Sequence, residues 1–254
     1  MTTVDTPLRD IVTENFNSAS VFEKYGLDFC CKGGMSLKVA CESKAIDPEK
    51  IADELSEVAY EESAQRYFRW ELPFLIDYII NNHHSYVRDQ TPLLFTHLDK
   101  ISSVHGEHHP EFLEVERIFH KVAEDLDQHM AKEERMLFPA IKMIAHAKST
   151  GKQIPAMPFG TLMGPISVMI SEHETAGEEL EKIRELLHDF TPPEDICSTV
   201  KVAFKELEDF EKDLHKHVFL ENSVLFPKAN RMEKECGQVH ESFEIKAHET
   251  KYVT

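Results

Sequence analysis

Residues 129–139 read HMAKEERMLFP, and residues 217–227 read HVFLENSVLFP. Both are His, three residues, Glu, three residues, Leu-Phe-Pro. His129 and Glu133, like His217 and Glu221, therefore stand one helical turn apart on a shared face. A neutral imidazole and a carboxylate so placed can reach one metal ion.

The apolar residues upstream say where that face points. Val115, Ile118, Val122 and Leu126 lead into His129, Glu133 and Leu137, while Val200, Ala203, Leu207, Phe210 and Leu214 lead into His217, Glu221 and Leu225. Steps of three and four are the packing seam of a helical bundle, so the candidate ligands continue the core. Spacing alone decides little, because His120/Glu124 and His240/Glu244 share it. His120 lies off the stripe of its helix, and His240 lies in a polar tail.

Each copy follows a helix with a single inward histidine. His84 interrupts the stripe Ile76, Ile80, Val87, and His173 interrupts Met169, Ala176, Leu180, Ile183, Leu187. His84 and His173 are 89 residues apart; His129 and His217, and Glu133 and Glu221, are 88 apart. A duplicated helical hairpin is implied, and two hairpins packed antiparallel make an up-down four-helix bundle. One histidine on an apolar face is usually a satisfied core residue. Four, with two carboxylates in matching halves, reverse that reading, since unpaired buried carboxylates demand a cation.

Six donors exceed a tetrahedral zinc site. Mixed imidazole and carboxylate donors suit iron or manganese, and two glutamates between two metal ions is the carboxylate-bridged di-iron arrangement. His105, in the stretch SSVHGEHHP read as a loop, is a further candidate donor, with His108 and His109 as alternatives beside it. Its counterpart in the second half is Glu194, an asymmetry that would leave one metal ion an open position. His83 falls off the stripe and is expected in solvent; Glu172 and Glu174, on either side of His173, could orient a ligand histidine from behind, but their helical positions favour a solvated face. Pro92 either kinks its helix or starts a new one. STGKQIPAMPFG is read as a linker.

The chain has 254 residues, room for a medium domain and a small one. A formal charge of -18 argues against nucleic acid or an anionic membrane as partner. No apolar run approaches the roughly 20 residues of a membrane span, and MTTVDTPLRD is too polar for a signal peptide, so a cytoplasmic protein is expected. Residues 1–64 read as a small helical domain, 70–230 as the bundle and 231–254 as a polar tail. In the small domain, helix starts are expected at Thr6-Pro7, Ser36 and Asp47-Pro48. Five cysteines, with Cys30 and Cys31 adjacent, do not form a disulfide framework. The pair sits in the glycine-punctuated turn LDFCCKGG, where accessible thiols could bind a metal or meet a redox partner. Two small residues filling a tight corner is the equal alternative.

YGLDFCCKGG from Tyr25 to Gly34, together with QHMAKEERMLFP, GPISVMISEHETAG and HVFLENSVLFP, resembles the iron-sulfur cluster repair di-iron family, also called the repair of iron centres family. The resemblance extends to about residue 230. It implies an all-α, hemerythrin-like four-helix bundle after a short Cys-Cys domain, and two iron ions per chain, carboxylate- and oxo-bridged. On the same resemblance His84, His105, His129, His173 and His217 are the nitrogen ligands, and Glu133 and Glu221 bridge. The implied role is repair of clusters damaged by nitrosative or oxidative stress, through iron donation or a nitric oxide reductase-type activity. NO or O2 is then the small ligand and iron-sulfur proteins are the clients. A homodimer through the N-terminal module is also implied, with Cys30 and Cys31 serving repair apart from the irons. The alternatives are a hemerythrin-like O2 or NO carrier or sensor, and an iron-binding scaffold without turnover.

Overall fold

The sequence stripes become long antiparallel rods in the computed structural model, which describes residues 3–59, 63–194 and 196–236. Among these residues everything regular is helical, apart from one antiparallel bridge between Pro7 and Ser36. The N-terminal segment carries α1 (Leu8–Glu14), α2 (Ala19–Lys24), α3 (Leu37–Ser43) and α4 (Pro48–Glu57), followed by α5 (Ser63–Arg69). Two starts follow side-chain capping: Ser36 accepts the Val39 N–H, and Asp47 accepts the Glu49 N–H ahead of Pro48. The Thr6-Pro7 start is different. Pro7 occupies the cap position without a side-chain bond, and the Thr6 hydroxyl pairs with Thr3. The free N–H groups of Leu8 and Arg9 instead reach the carbonyls of Met35 and Gly33, both at 2.9 Å, which fastens α1 to the cysteine turn.

The first rod is α6 (Leu72–Ile79), a π-helical turn over Ile80–His84, and α7 (Ser85–His105). Pro92 lies inside α7, which neither stops nor restarts there. The second rod is α8 (Pro110–Lys132), a π-helical turn over Glu133–Leu137, and α9 (Phe138–Thr150). The third is α10 (Met163–Leu186); the fourth is α11 (Ser198–Phe219), a π-helical turn over Leu220–Leu225, and helix again over 226–236. α8 packs against both α7 and α10, and α7 also against α11, so the connectivity is up and down.

The stretch read as a polar tail begins as structure. Residues 231–236 continue the fourth rod, Glu233 accepts the Leu162 N–H at 3.1 Å, and Lys148 pairs with Glu235 at 2.6 Å. The remainder of that stretch, 237–254, lies outside the described residues.

The small N-terminal helices do not stand apart from the bundle. Phe29 and Phe16 set their rings 6.2 and 5.5 Å from Phe219, at the end of α11, and Phe22 backs Phe29 at 6.1 Å. Phe22, Phe29 and Phe219 are fully buried, each stabilising the seam by about 2 kcal/mol of area removed from water. This seam ends two residues short of Glu221, so docking of the N-terminal segment and shaping of the second motif are one packing problem.

Candidate metal centre

The Leu-Phe-Pro sequel explains the local shape of both motif copies. Proline has no N–H and its ring crowds the carbonyl four residues earlier, so Pro139 cannot bond Arg135 and Pro227 cannot bond Ser223. Both carbonyls lie in turns that have widened from α to π. The third π turn has no such proline. There the carbonyls of Asp77, Tyr78 and Ile80 are taken by the side chains of Asn81, Asn82 and Ser85 at 2.7, 2.8 and 2.9 Å. The phenylalanines of the sequel wall the site: Phe138 stacks on His84 with centroids 5.7 Å apart, and Phe226 on His173 at 6.2 Å.

Six buried side chains converge between the rods. Their donor atoms form two groups of four, His84, Glu133, His217, Glu221 and His129, Glu133, His173, Glu221, each within 4.8 Å. His84 Nε2 lies 3.2 Å from His217 Nε2, and His129 Nε2 lies 3.0 Å from His173 Nε2. Glu133 Oε2 is 3.3 Å from His84 Nε2 and 3.5 Å from His129 Nε2. Glu221 meets His217 through Oε1 and His173 through Oε2, each at 3.1 Å. Both carboxylates therefore touch both histidine pairs.

The outer ring nitrogens fix what the inner ones can do. His84 Nδ1 bonds Glu134 at 2.7 Å, His129 Nδ1 bonds Glu172 at 2.9 Å, and His173 Nδ1 bonds Asn222 Oδ1 at 3.0 Å. These acceptors place the proton on Nδ1 and leave the Nε2 lone pair facing inward. His217 Nδ1 has no hydrogen-bond partner among the described residues; His83 lies flat against that ring at 5.7 Å.

Burial, and then the neighbouring imidazole, pushes His84 and His129 down to about 4, so both are neutral at pH 7. Burial, and then the facing Glu221, pushes Glu133 well above the usual carboxylate range. Burial acts on Glu221 too, but His217 and His173 hold its carboxyl well below that range. Protein groups alone thus disfavour the charged form of Glu133 and favour that of Glu221. Even so, neither oxygen of Glu133 has a hydrogen-bond partner, nor does Glu221 Oε2. Inward lone pairs and orphaned buried oxygens, with no lysine or arginine among them, are the donor set of a metal centre.

The wider sequence agrees with that chemistry. Residues 75–229 match the hemerythrin HHE cation binding domain, and residues 4–59 match a domain of unknown function, DUF542. The iron-sulfur cluster repair protein ScdA of Staphylococcus haemolyticus is 31% identical over 229 residues, covering 90% of this chain and 99% of the relative. The iron-sulfur cluster repair protein YtfE of an Enterobacter species is 36% identical over 225 residues, and its Escherichia coli namesake 35%; each alignment covers 89% of this chain and 96% of the relative. The chain belongs to the iron-sulfur cluster repair family.

Within that family's bundle, four expectations from the sequence need correction. His105 does not reach the centre. SSVH is helical, so His105 ends α7 21 residues past His84, roughly 30 Å along the rod, with its Nε2 3.1 Å from Cys197 Sγ. His108 is exposed and His109 bonds Glu111, so that turn supplies no substitute, and Glu194 loses its meaning as the broken counterpart. His83 is buried rather than solvated, and its Nδ1 bonds Asp213 at 2.9 Å. Glu172 is half-buried rather than fully solvated: it orients His129 and pairs with Lys132, while Glu174 is exposed as expected. Cys30 is buried and Cys31 half-buried, with Cys31 Sγ 3.4 Å from the His173 carbonyl. Gly177 makes room for that contact, since a Cβ there would stand 3.3 Å from the sulfur.

Helical phase does not single out two supports, Glu134 and Asn222. Each immediately follows the motif glutamate, at equivalent places in the repeat, and that equivalence was the available signal.

Among the described residues no helix is long and apolar enough to cross a membrane.

Proposed function

We propose that the six convergent side chains hold two iron ions, one between His84 and His217 and one between His129 and His173, with Glu133 and Glu221 spanning both. Through this centre the protein serves the repair of iron-sulfur clusters damaged by nitrosative or oxidative stress. The observation that carries the reading is the pair of buried glutamates whose oxygens face both histidine pairs and have no other partner.

When bound, the irons supply one-electron chemistry toward NO or O2 and a store of iron for a damaged client. The chain's own residues set the conditions for this. Glu134, Glu172 and Asn222 orient three imidazoles and hold the proton away from the metal-facing nitrogen. Glu134 and Glu172 stay ionised despite partial burial: His84 and Arg88 hold the first below the usual range, Lys132 and His129 the second. Arg88 and Lys132 offset the two outer carboxylates, which leaves Glu133 and Glu221 as the carboxylates that face the ions. Phe138 and Phe226 keep bulk water off the rings they cover.

The relatives' shared repair function favours this over a reversible oxygen carrier. The test is to add NO to the reduced protein and assay nitrous oxide, and in parallel to follow recovery of an NO-damaged iron-sulfur enzyme. Repair that depends on Glu133 supports the proposal; stable, reversible O2 binding with no repair contradicts it.

A further inference from the structure

A second donor cluster lies outside the bundle core. Side chains of adjacent residues ordinarily diverge, yet Cys30 Sγ and Cys31 Sγ are 3.7 Å apart. Asp28 produces this. Its Oδ1 accepts the N–H groups of Cys30 at 3.1 Å and Cys31 at 2.8 Å, which curls the chain until both thiols face one side. The same oxygen lies 3.2 Å from Cys30 Sγ. Gly33 completes the curl, because a Cβ there would fall 2.2 Å from the Phe29 carbonyl oxygen.

The spacing matches coordination. A tetrahedral ion with metal–sulfur bonds near 2.3 Å holds its sulfurs roughly 3.8 Å apart, close to the observed separation. A disulfide would need the sulfurs at about 2.05 Å. One donor atom from each of Asp28, Cys30 and Cys31 falls within 4.8 Å of the others.

We infer that Asp28, Cys30 and Cys31 form a separate binding site for one thiophilic divalent cation, distinct from the bundle centre. Two metal–sulfur bonds and one metal–oxygen bond form, and the two thiol protons pass to solvent, so the net charge of the site is unchanged. Three protein donors leave one tetrahedral position free, the mark of an exchangeable site rather than a closed structural one. The site also touches the bundle centre. Asn222 bonds His173 through its oxygen and the Cys30 carbonyl through its nitrogen at 3.4 Å, and Cys31 Sγ meets the His173 carbonyl. A cation held here rests against the helix that carries a ligand of the bundle.

The test is a titration of the full-length, metal-loaded protein with Co2+ under anaerobic conditions, in a Cys197→Ser background that removes an exposed thiol. One further cobalt per chain should bind with a thiolate-to-metal charge-transfer band. Cys30→Ser and Cys31→Ser should each abolish the band, with iron content and helicity retained. Asp28→Asn should weaken cobalt binding roughly tenfold or more, because its amide oxygen still accepts both N–H groups and keeps the turn. Failure to bind the extra cobalt, or a band that survives Cys30→Ser, overturns the site. Undiminished binding in Asp28→Asn overturns the three-donor assignment. The cobalt band reads the same whether or not the bundle carries iron, so this inference and the di-iron proposal can fail separately.

Discussion

The two hairpins of the repeat present the same donors but back them differently. In the first hairpin His84 is supported by a carboxylate, Glu134; at the corresponding place in the second, His173 is supported by an amide, Asn222. His129 is supported by Glu172, while the residue corresponding to Glu172 is His83, which stacks on His217 without a bond to it. Each proposed ion therefore receives one imidazole backed by a carboxylate and one that is not. The amide has a reason. Asn222 accepts from His173 and also donates to the Cys30 carbonyl, and a carboxylate could do only the first. The repeat supplies the six convergent side chains, and the difference in their supports ties the second half to the N-terminal segment.

The comparison is broken most severely by removing one donor from each half. His84→Leu and His173→Leu should each lower iron from about two per chain to about one or less, because each subsite has two histidines; iron analysis of purified variants reads this. Loss from one half only would show that the halves are not equivalent as ligand sources.

Changing the supports should act less. Glu134→Gln should weaken iron retention against a chelator roughly 10-fold to 100-fold. Asn222→Asp should keep the iron, lower the reduction potential through the added charge behind His173, and speed thiol labelling of Cys30 and Cys31 by releasing the Cys30 carbonyl. Potentiometry and labelling kinetics read the two effects, and an unchanged labelling rate would remove Asn222 as the tie between the two regions.

The metal-free protein should show a pH signature. His84 and His129 have folded pKa values of about 4, below the unfolded value of 6.5, so their contribution to stability is complete above 6.5 and is lost as pH falls toward 4. Glu133, shifted upward, works in the opposite sense, because its protonated form is favoured in the fold. The histidine part is isolated by difference: relative to His84→Leu, the urea midpoint of chelator-treated protein should fall between pH 6.5 and 4. A flat profile would mean the histidines are not buried neutral. The smallest effect belongs to His105→Ala, which should leave iron content unchanged; a loss of iron would restore it as a ligand.

The bundle and the six side chains that converge in it were legible because apolar steps of three and four carry helical phase, and phase separates His129/Glu133 from His120/Glu124. The π turns were not legible, since a seam of threes and fours does not register one extra residue. That extra residue rotates the flanking helix by about 100°, and the widened turn buries His83 beside His84. The supporting role of Glu172 was only half legible for another reason: phase says a residue lies off the stripe, but not that α8 stands on that side. His105 was misplaced because serines and a glycine suggested a loop, whereas Ser102 Oγ bonds the Phe112 carbonyl at 3.0 Å and carries α7 to its end. The burial of the cysteine pair depends on docking across the Phe29–Phe219 seam, a long-range contact with no local sequence signal.

The most direct test is metal analysis with spectroscopy on protein purified intact, alongside the double variant Glu133→Ala, Glu221→Ala. About two irons per chain in a coupled centre, and essentially none in the double variant, is the expected result. Stoichiometric tetrahedral zinc, or two irons retained without either glutamate, would contradict the account.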